Sequence, residues 1–398
     1  MSIIYDEKYK TITLHTRNTT YQMQIDRYGF LLHLYYGKTA EGCMDYLLTY
    51  YDRGFSGNPY EAETDRTYSM DALPQEFPSL GTGDYRTPAC IIKNTDRTYA
   101  SDFRYVSHTI KEGKYSLPGL PAVYADTDEA QTLEVVLADP VTGVQAVLLY
   151  GVLPQYDVIT RSVKIVNASK GHISVKKLAP ACLDLVGGAY DFITFYGRHA
   201  MERNCQRMPV GHGVAKIGSL RGTSSHQYNP AVILAEHDAT EDAGSCYAMT
   251  FVYSGGFQSE AGQDQYYQTR LLMGMSEEQF AYPLNPGEQF QSPEVILSYS
   301  SEGLSKLSQN MHRCIRSHLC RGKYKETVRP ILLNSWEASY FDFTGDSLFE
   351  LAKQAADLGI EMFVLDDGWF GKRDSDMRGL GDWVVNEEKL GCTLGEAH

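Results

Sequence analysis

The sequence lacks the features that suit a nucleic-acid or membrane partner. Its 36 Lys and Arg are outnumbered by 50 Asp and Glu, which gives a formal net charge of −14, and no basic run reverses that balance. Such a surface is repelled by phosphate backbones and by anionic lipid headgroups. No stretch approaches the roughly 20 consecutive apolar residues that a transmembrane helix requires. We therefore expect no nucleic acid and no membrane among the partners.

Motifs for metals and cofactors are also missing. The eight cysteines include no CxxC pair, and the 11 histidines include no HExxH. The stretch 81–83, GTG, lacks the third glycine and the following helix of a dinucleotide site. The first ten residues carry charges where a signal peptide has an apolar segment. We expect a cytoplasmic protein with reduced thiols, no metal and no cofactor.

Residues 1–300 have the pattern of an all-β domain. Short segments rich in β-forming residues alternate apolar and polar side chains, as half-buried antiparallel strands do. Turn residues separate these segments. The pattern predicts a large β-sandwich. The clearest predicted strands are 11–17, 21–26, 132–138, 144–150, 157–166, 231–235 and 247–253.

The pattern changes after residue 300. Apolar residues at 304, 307, 311, 315 and 319 are spaced by three and four, which predicts one face of a helix. We interpret residues 301–328 as a linker helix region between two domains. This helix would end the β-rich part of the chain.

Residues 329–398 predict the start of an α/β domain. An apolar strand after Pro330 ends in Ser335, Trp336 and Glu337. A helix capped by Thr344 or Asp346 follows, with Gly359 after its last turn. A second apolar strand begins at residue 361, which completes a β-α-β unit. Two strands cannot bury such runs on both faces, so the unit is expected to belong to a larger domain.

The second of these strands ends in two adjacent acids, Asp366 and Asp367. In α/β barrels the functional side chains lie at the carboxyl ends of the strands. Adjacent residues of a strand point to opposite faces, whereas retaining glycosidases hold two carboxyl groups about 5–5.5 Å apart. The pair therefore suits binding of hydroxyl groups better than catalysis. The alternative is a pair that only caps the next turn.

Two tryptophans accompany the acids. Trp336 ends the preceding strand, and Trp369 follows the acid pair. Flat aromatic faces beside carboxylates are typical of carbohydrate sites, although a lone tryptophan more often packs in a core. The combination predicts a polyol site built from Asp366, Asp367, Trp336 and Trp369.

Six segments together resemble the glycoside hydrolase family 36 α-galactosidases. The resemblance extends over nearly the whole chain, and LNSWEA and LDDGWFG are its most specific parts. It implies an N-terminal β-supersandwich followed by a (β/α)8 TIM barrel. The matching segments are RHAMERN at 198–204, RGTSSHQYNP at 221–230, FVYSGGF at 251–257, RPILLNSWEASYFDF at 329–343, LGIEMFVLDDGWFGKRDSD at 358–376 and LGDWVVNEEKL at 380–390.

The resemblance also implies an activity and roles for individual residues. Such enzymes are retaining glycosidases that release terminal α-linked galactose with two aspartates and no cofactor. Both aspartates belong to later barrel strands, so we expect them beyond residue 398 and expect an N-terminal fragment that is inactive alone. The resemblance assigns Asp366 and Asp367 to galactose hydroxyls and Trp336 to a pocket wall. It assigns Asp52 to a neighbouring subunit's site in a homotetramer.

Three alternatives remain open. The chain could act only as a galactose-binding or assembly module, because both catalytic aspartates are missing from it. Within the family, a transglycosylating galactosyltransferase or an α-N-acetylgalactosaminidase would share the same motifs.

Overall fold

The alternating segments of the first 300 residues form strands, as predicted. The computed structural model describes residues 2–278 and 280–396. Each of the seven predicted segments overlaps a strand, with ends shifted by a few residues. In the strand Gln131–Ala138, for example, Leu133, Val135 and Leu137 are buried, whereas Glu134 is only half-buried. The period of two in the sequence is therefore the period of the buried face.

Four sheets make up the β-rich part of the described chain. The largest contains, in spatial order, Met201–Pro209, Tyr190–Arg198, Tyr228–Glu236, Cys246–Val252, Glu294–Ser300, Val158–Asn167, Val144–Leu153, Gln131–Ala138 and Arg104–Glu112, with Gln289–Gln291 also paired to Val158–Asn167. A second contains Ile3–Asp6, Thr11–His15, Thr19–Ile25 and Leu31–Lys38. The others are Ala181–Leu185, Thr269–Met275, Phe257–Gln263 and Gly213–Gly218, and Tyr282–Leu284, Ile173–Leu178 and Cys90–Lys93.

One large apolar cluster draws side chains from all four sheets. Sheets that bury a shared core of this kind form a sandwich, so the predicted all-β fold is confirmed. Short 3-10 turns lie at Asp45–Leu47, Tyr60–Ala62 and Pro154–Tyr156.

The predicted linker helix packs on the β domain. The helix Gly303–His318 buries Leu307, Met311 and Cys314 in a second apolar cluster with Val158 and Ile296. Contacts divide the chain into the units Met1–Cys320 and Arg321–His398, so the helix lies in the first unit. Its apolar face is covered by strands of the first unit, and the division between the two units falls within the predicted linker region 301–328.

The second unit contains the predicted β-α-β unit. The strands Leu332–Asn334 and Met362–Val364 pair in parallel, and the helix Gly345–Asp357 connects them. Thr344, not Asp346, is the helix N-cap, and its side chain accepts from the backbone N–H of Ser347. Short helices at Trp336–Ser339 and Glu387–Leu390 and a 3-10 turn at Lys323–Lys325 complete the described elements.

The strands of this unit are not buried on both faces, as expected for only two strands, since Leu332 is 48% and Met362 44% exposed. Two strands and one helix have too little apolar surface to cover both sides. Trp336 begins a short helix and does not end the strand, because the backbone turns at Ser335.

No helix in the described part of the chain has the length and apolarity needed to cross a membrane.

A buried carboxylate, Glu76, ties two sheets of the first unit together. Its oxygens accept from the hydroxyls of Tyr21 and Tyr150 at 2.7 Å, and His33 Nδ1 lies 2.7 Å away. Arg161 Nη2 lies 3.5 Å from Glu76 Oε2 and donates to its backbone carbonyl at 3.0 Å. Burial acts to raise the pKa of Glu76, but Arg161 and the hydrogen bonds outweigh burial and lower it. The carboxylate is therefore held ionised inside the core.

We predict that Glu76→Gln lowers the free energy of unfolding by about 3–5 kcal/mol, because it leaves the Arg161 charge buried without its partner. Urea unfolding of the 398-residue chain would measure the change. The exposed Glu7→Gln variant is the matched control and should unfold like the wild type.

The stability that Glu76 provides should also depend on pH. Its folded-state pKa lies below its usual 4.5, so its contribution to the free energy of unfolding is present above pH 4.5 and is lost as the pH falls through the folded value. Equal stability of both variants at neutral pH would contradict the prediction.

Candidate functional site

The carboxyl ends of the two parallel strands meet at one edge of the second unit. Asn334 is paired with Val364, so the residues after each strand are neighbours. The backbone N–H of Ser335 donates to the Val364 carbonyl at 3.0 Å, and that of Asp366 donates to Ser335 Oγ at 3.1 Å. Buried Ser335 thus continues the pairing beyond the last strand residues and sets the position of Asp366.

Asp366 is exposed at this edge and only lightly held. Its Oδ2 accepts from Asn334 Nδ2 at 2.6 Å. The other end of that amide, Asn334 Oδ1, accepts from the backbone N–H of Trp336 at 2.8 Å. Among the residues the structure describes, Asp366 Oδ1 has no hydrogen-bond partner. One oxygen of this carboxylate is therefore available to a ligand.

Asp367 is held tightly by Arg373. The guanidinium donates from Nε to Oδ1 at 2.7 Å and from Nη2 to Oδ2 at 2.6 Å, and the backbone N–H of Gly368 donates to Oδ1 at 2.8 Å. The side chain of Asp367 is 21% exposed and that of Arg373 is 6% exposed. The hydrogen bonds from Arg373 lower the pKa of Asp367, so this carboxylate is ionised at neutral pH.

Gly368 is required directly after the acid pair. Its φ is +94°, and a Cβ there would lie 3.1 Å from the ring of Phe341 and 3.2 Å from that of Phe343. A larger residue would strain the turn and push on both rings. The glycine thus lets the chain reverse close to the sheet edge.

The two tryptophans occupy different surroundings. Trp336 is half-buried, and its ring meets those of Tyr340 and Phe341 edge-on, with centroids 5.2 and 4.9 Å away. Trp369 packs against the small core of Phe343, Leu348 and Leu390. Trp336 is linked to Asp366 by the hydrogen bonds of Asn334. Trp369 instead packs in a core, which is the alternative role for a tryptophan.

Lys389 connects the turn to a neighbouring segment. Its Nζ donates to the carbonyls of Phe341 at 2.8 Å and Gly368 at 3.0 Å, and it lies 4.0 Å from the centre of the Phe343 ring. Burial lowers the pKa of this lysine. The helix Glu387–Leu390 in this way supports the turn that carries the acids.

Sequence reasoning missed Asn334, Arg373 and Lys389. Asn334 and Arg373 lie inside the segments LNSWEA and GKRDSD, and Asn334 is the last residue of its strand. The strand-end rule that singled out the acids would also have found Asn334. Nothing in the spacing of Arg373 or Lys389 indicates their partners, because turns join them.

Asp52 lies in the first unit, apart in sequence from the other four predicted residues. Its side chain is 64% exposed, forms an ion pair with Arg66 at 2.8 Å and accepts from the backbone N–H of Gly54. The hydrogen bonds from Arg66 lower the pKa of Asp52. It is an ionised carboxylate on an exposed loop.

The edge of the second unit thus presents two carboxylates, Asp366 and Asp367, beside an indole. Carboxylates accept hydrogen bonds from hydroxyl groups, and an aromatic face covers the apolar side of a sugar ring. No group of three or more His, Cys, Asp or Glu side chains in the described part of the chain is arranged to hold a metal ion. The arrangement is suited to binding a polyhydroxylated ligand.

Curated proteins similar to this chain are α-galactosidases. It is 63% identical to the bifunctional alpha-galactosidase/sucrose kinase AgaSK of Mediterraneibacter gnavus, over 100% of this chain and 42% of that protein. It is 42% identical to alpha-galactosidase Mel36A of Lactobacillus acidophilus, over 99% of this chain and 54% of that protein. The chain therefore spans about half the length of these relatives.

Solved structures agree. The galactosidase domain of AgaSK matches with a TM-score of 0.97 and 63% identity, over 99% of this chain and 55% of that one. A variant of the GH36 alpha-galactosidase AgaA from Geobacillus stearothermophilus, solved in complex with raffinose, matches with a TM-score of 0.93 and 41% identity, over 96% of this chain and 53% of that one.

Family models match both units. Residues 29–285 match the glycosyl hydrolase family 36 N-terminal domain, and residues 289–397 match the melibiase domain. The first match alone covers more than half of the chain. The strand order, the strand-end acids and these matches agree, and the chain belongs to glycoside hydrolase family 36.

Proposed function

We propose that this chain supplies the sugar-binding edge of an α-galactosidase that releases terminal α-linked galactose. The observation that carries the proposal is the pair Asp366 and Asp367, which follow one strand end and lie next to Trp336. Two neighbouring carboxylates can accept hydrogen bonds from adjacent hydroxyls of one sugar ring. The family resemblance assigns these bonds to the 4-OH and 6-OH of galactose.

The catalytic nucleophile and the acid/base are proposed to lie on barrel strands outside these 398 residues. Asp366 is the more accessible acid of the pair, but it has no adjacent general acid in the described part of the unit. Retaining hydrolysis needs two carboxyl groups on either side of the scissile bond. We therefore assign this edge to substrate binding, and we expect the 398-residue chain alone to be inactive.

Substrate and assembly are proposed from the relatives. AgaA variants have been solved in complex with raffinose and with stachyose. These two bound sugars support small α-galactosides as substrates of the present protein. We propose a cytoplasmic homotetramer in which the exposed Asp52 reaches a neighbouring subunit's site. Trp369 is proposed as part of the pocket floor, where it would act through its packing.

We expect the full-length protein to hydrolyse raffinose and p-nitrophenyl α-galactoside with retention of configuration. Chromatography and proton NMR of the first product would measure rate and stereochemistry. The 398-residue chain, assayed in parallel, should show no turnover. Preference for an α-N-acetylgalactosaminide, or transfer of galactose to sucrose in place of hydrolysis, would overturn the proposed activity in favour of a related one.

We predict that Asp366→Asn and Asp367→Asn each weaken galactoside binding in the full-length protein. A hydrogen bond to a charged group is worth about 1.5–3 kcal/mol, which corresponds to a loss of about tenfold to a hundredfold in kcat/KM. The exposed Asp357→Asn, at the end of the connecting helix, is the matched control and should leave kcat/KM unchanged. Wild-type kinetics for both acid variants would mean that the pair only caps its turn.

A further inference from the structure

Arg373 has a role that the strand-end pattern does not predict. We infer that Arg373 is a positioning residue that fixes the Asp367 carboxylate so that it accepts a single sugar hydroxyl from one direction. This inference rests on the proposed function and names a specificity determinant of the same site.

The guanidinium of Arg373 donates hydrogen bonds from all three of its nitrogens although it lies on a loop. Nε and Nη2 donate to both oxygens of Asp367. Nη1 donates to the carbonyls of Ser375 at 3.1 Å and Arg378 at 2.8 Å. A planar fork that is anchored at both sides has little freedom to rotate. It therefore transmits the geometry of its own loop to the carboxylate.

The loop is shaped to enclose this side chain. Gly379 has a φ of +73°, and a Cβ there would lie 3.1 Å from the backbone nitrogen, Cα and Cβ of Arg373. Only glycine allows this approach without strain. The chain from Asp367 to Gly379 thus closes around the guanidinium, which explains why a charged side chain is buried on a surface loop.

Counting acceptor sites shows what remains for a ligand. An ionised carboxylate offers about four lone-pair sites. At Asp367 three N–H groups donate: that of Gly368 to Oδ1, Nη2 of Arg373 to Oδ2, and Nε of Arg373 to both oxygens, at 2.7 and 2.9 Å. Three donors against about four sites leave room for about one more. At Asp366 the bond from Asn334 occupies one site, and about three are left.

The two acids are therefore unequal in what they can discriminate. Asp366 can rotate about its side-chain bonds and accept more than one hydroxyl. Asp367 cannot follow a hydroxyl that points elsewhere, because rotation would break its three bonds to Arg373. A ring that presents this hydroxyl with the opposite configuration would leave the remaining acceptor site of Asp367 unpaired. By fixing the carboxylate, Arg373 makes Asp367 selective for one configuration of the hydroxyl that it binds.

The test uses the full-length protein and three substrates: p-nitrophenyl α-galactoside and its 4-deoxy and 6-deoxy analogues. Arg373→Gln should raise KM for the parent substrate about tenfold or more, with a smaller effect on kcat. The loss should disappear for the one analogue that lacks the hydroxyl bound by Asp367. Asp367→Asn should likewise leave KM for that analogue unchanged. Combining the two substitutions should raise KM for the parent substrate little beyond the effect of either one.

Arg373→Lys keeps the charge but loses the fork, and we expect an intermediate KM with the same analogue dependence. It also replaces Arg373→Gln if that variant does not fold. Lys372→Gln, an exposed neighbour with the same change of charge, is the matched control and should behave like the wild type.

The outcomes separate the inference from the proposed function. Equal losses for all three substrates would assign Arg373 a merely structural role and overturn the inference. So would wild-type KM values in the Arg373 variants. A wild-type protein that hydrolyses none of the three substrates would instead overturn the proposed function.

Discussion

The fold of the first unit depends on a fully buried carboxylate, that of Glu76. Glu76 lies in a loop, yet its side chain receives hydrogen bonds from strands of two different sheets and faces Arg161. Burying such a charge is favourable only if its partners are in place, so the sheets can pack in essentially one relative position.

The same physical device recurs on a smaller scale in the second unit. Arg373 compensates Asp367 as Arg161 compensates Glu76, and in both cases the pKa of the acid is lowered. The difference is exposure. Glu76 has no acceptor site facing solvent, so its role is packing. The side chain of Asp367 is 21% exposed, so a ligand can reach the carboxylate that the guanidinium holds in place.

Sequence patterns predicted the elements well and the side-chain contacts poorly. Strand alternation located the sheets, and the 344–359 pattern located a helix with both its caps, because these signals depend on near neighbours. The fate of the helix at 303–318 depended on distant strands, and no local pattern could show that its apolar face was covered. The acids were found by position, whereas Arg373 and Lys389 were missed because loop closure, not periodicity, brings them to the turn.

Adjacent residues in a chain rarely have equal roles at a strand end, and this site illustrates why. The turn that follows Val364 directs Asp366 and Asp367 to different surroundings, so one meets the amide of Asn334 and the other meets a guanidinium. An amide tether permits rotation, while a two-point ionic contact does not. A pair of this kind can therefore combine an adaptable contact with a rigid one on a single sugar. Affinity can then come from both acids, but discrimination between hydroxyl configurations has to come from the acid that cannot move.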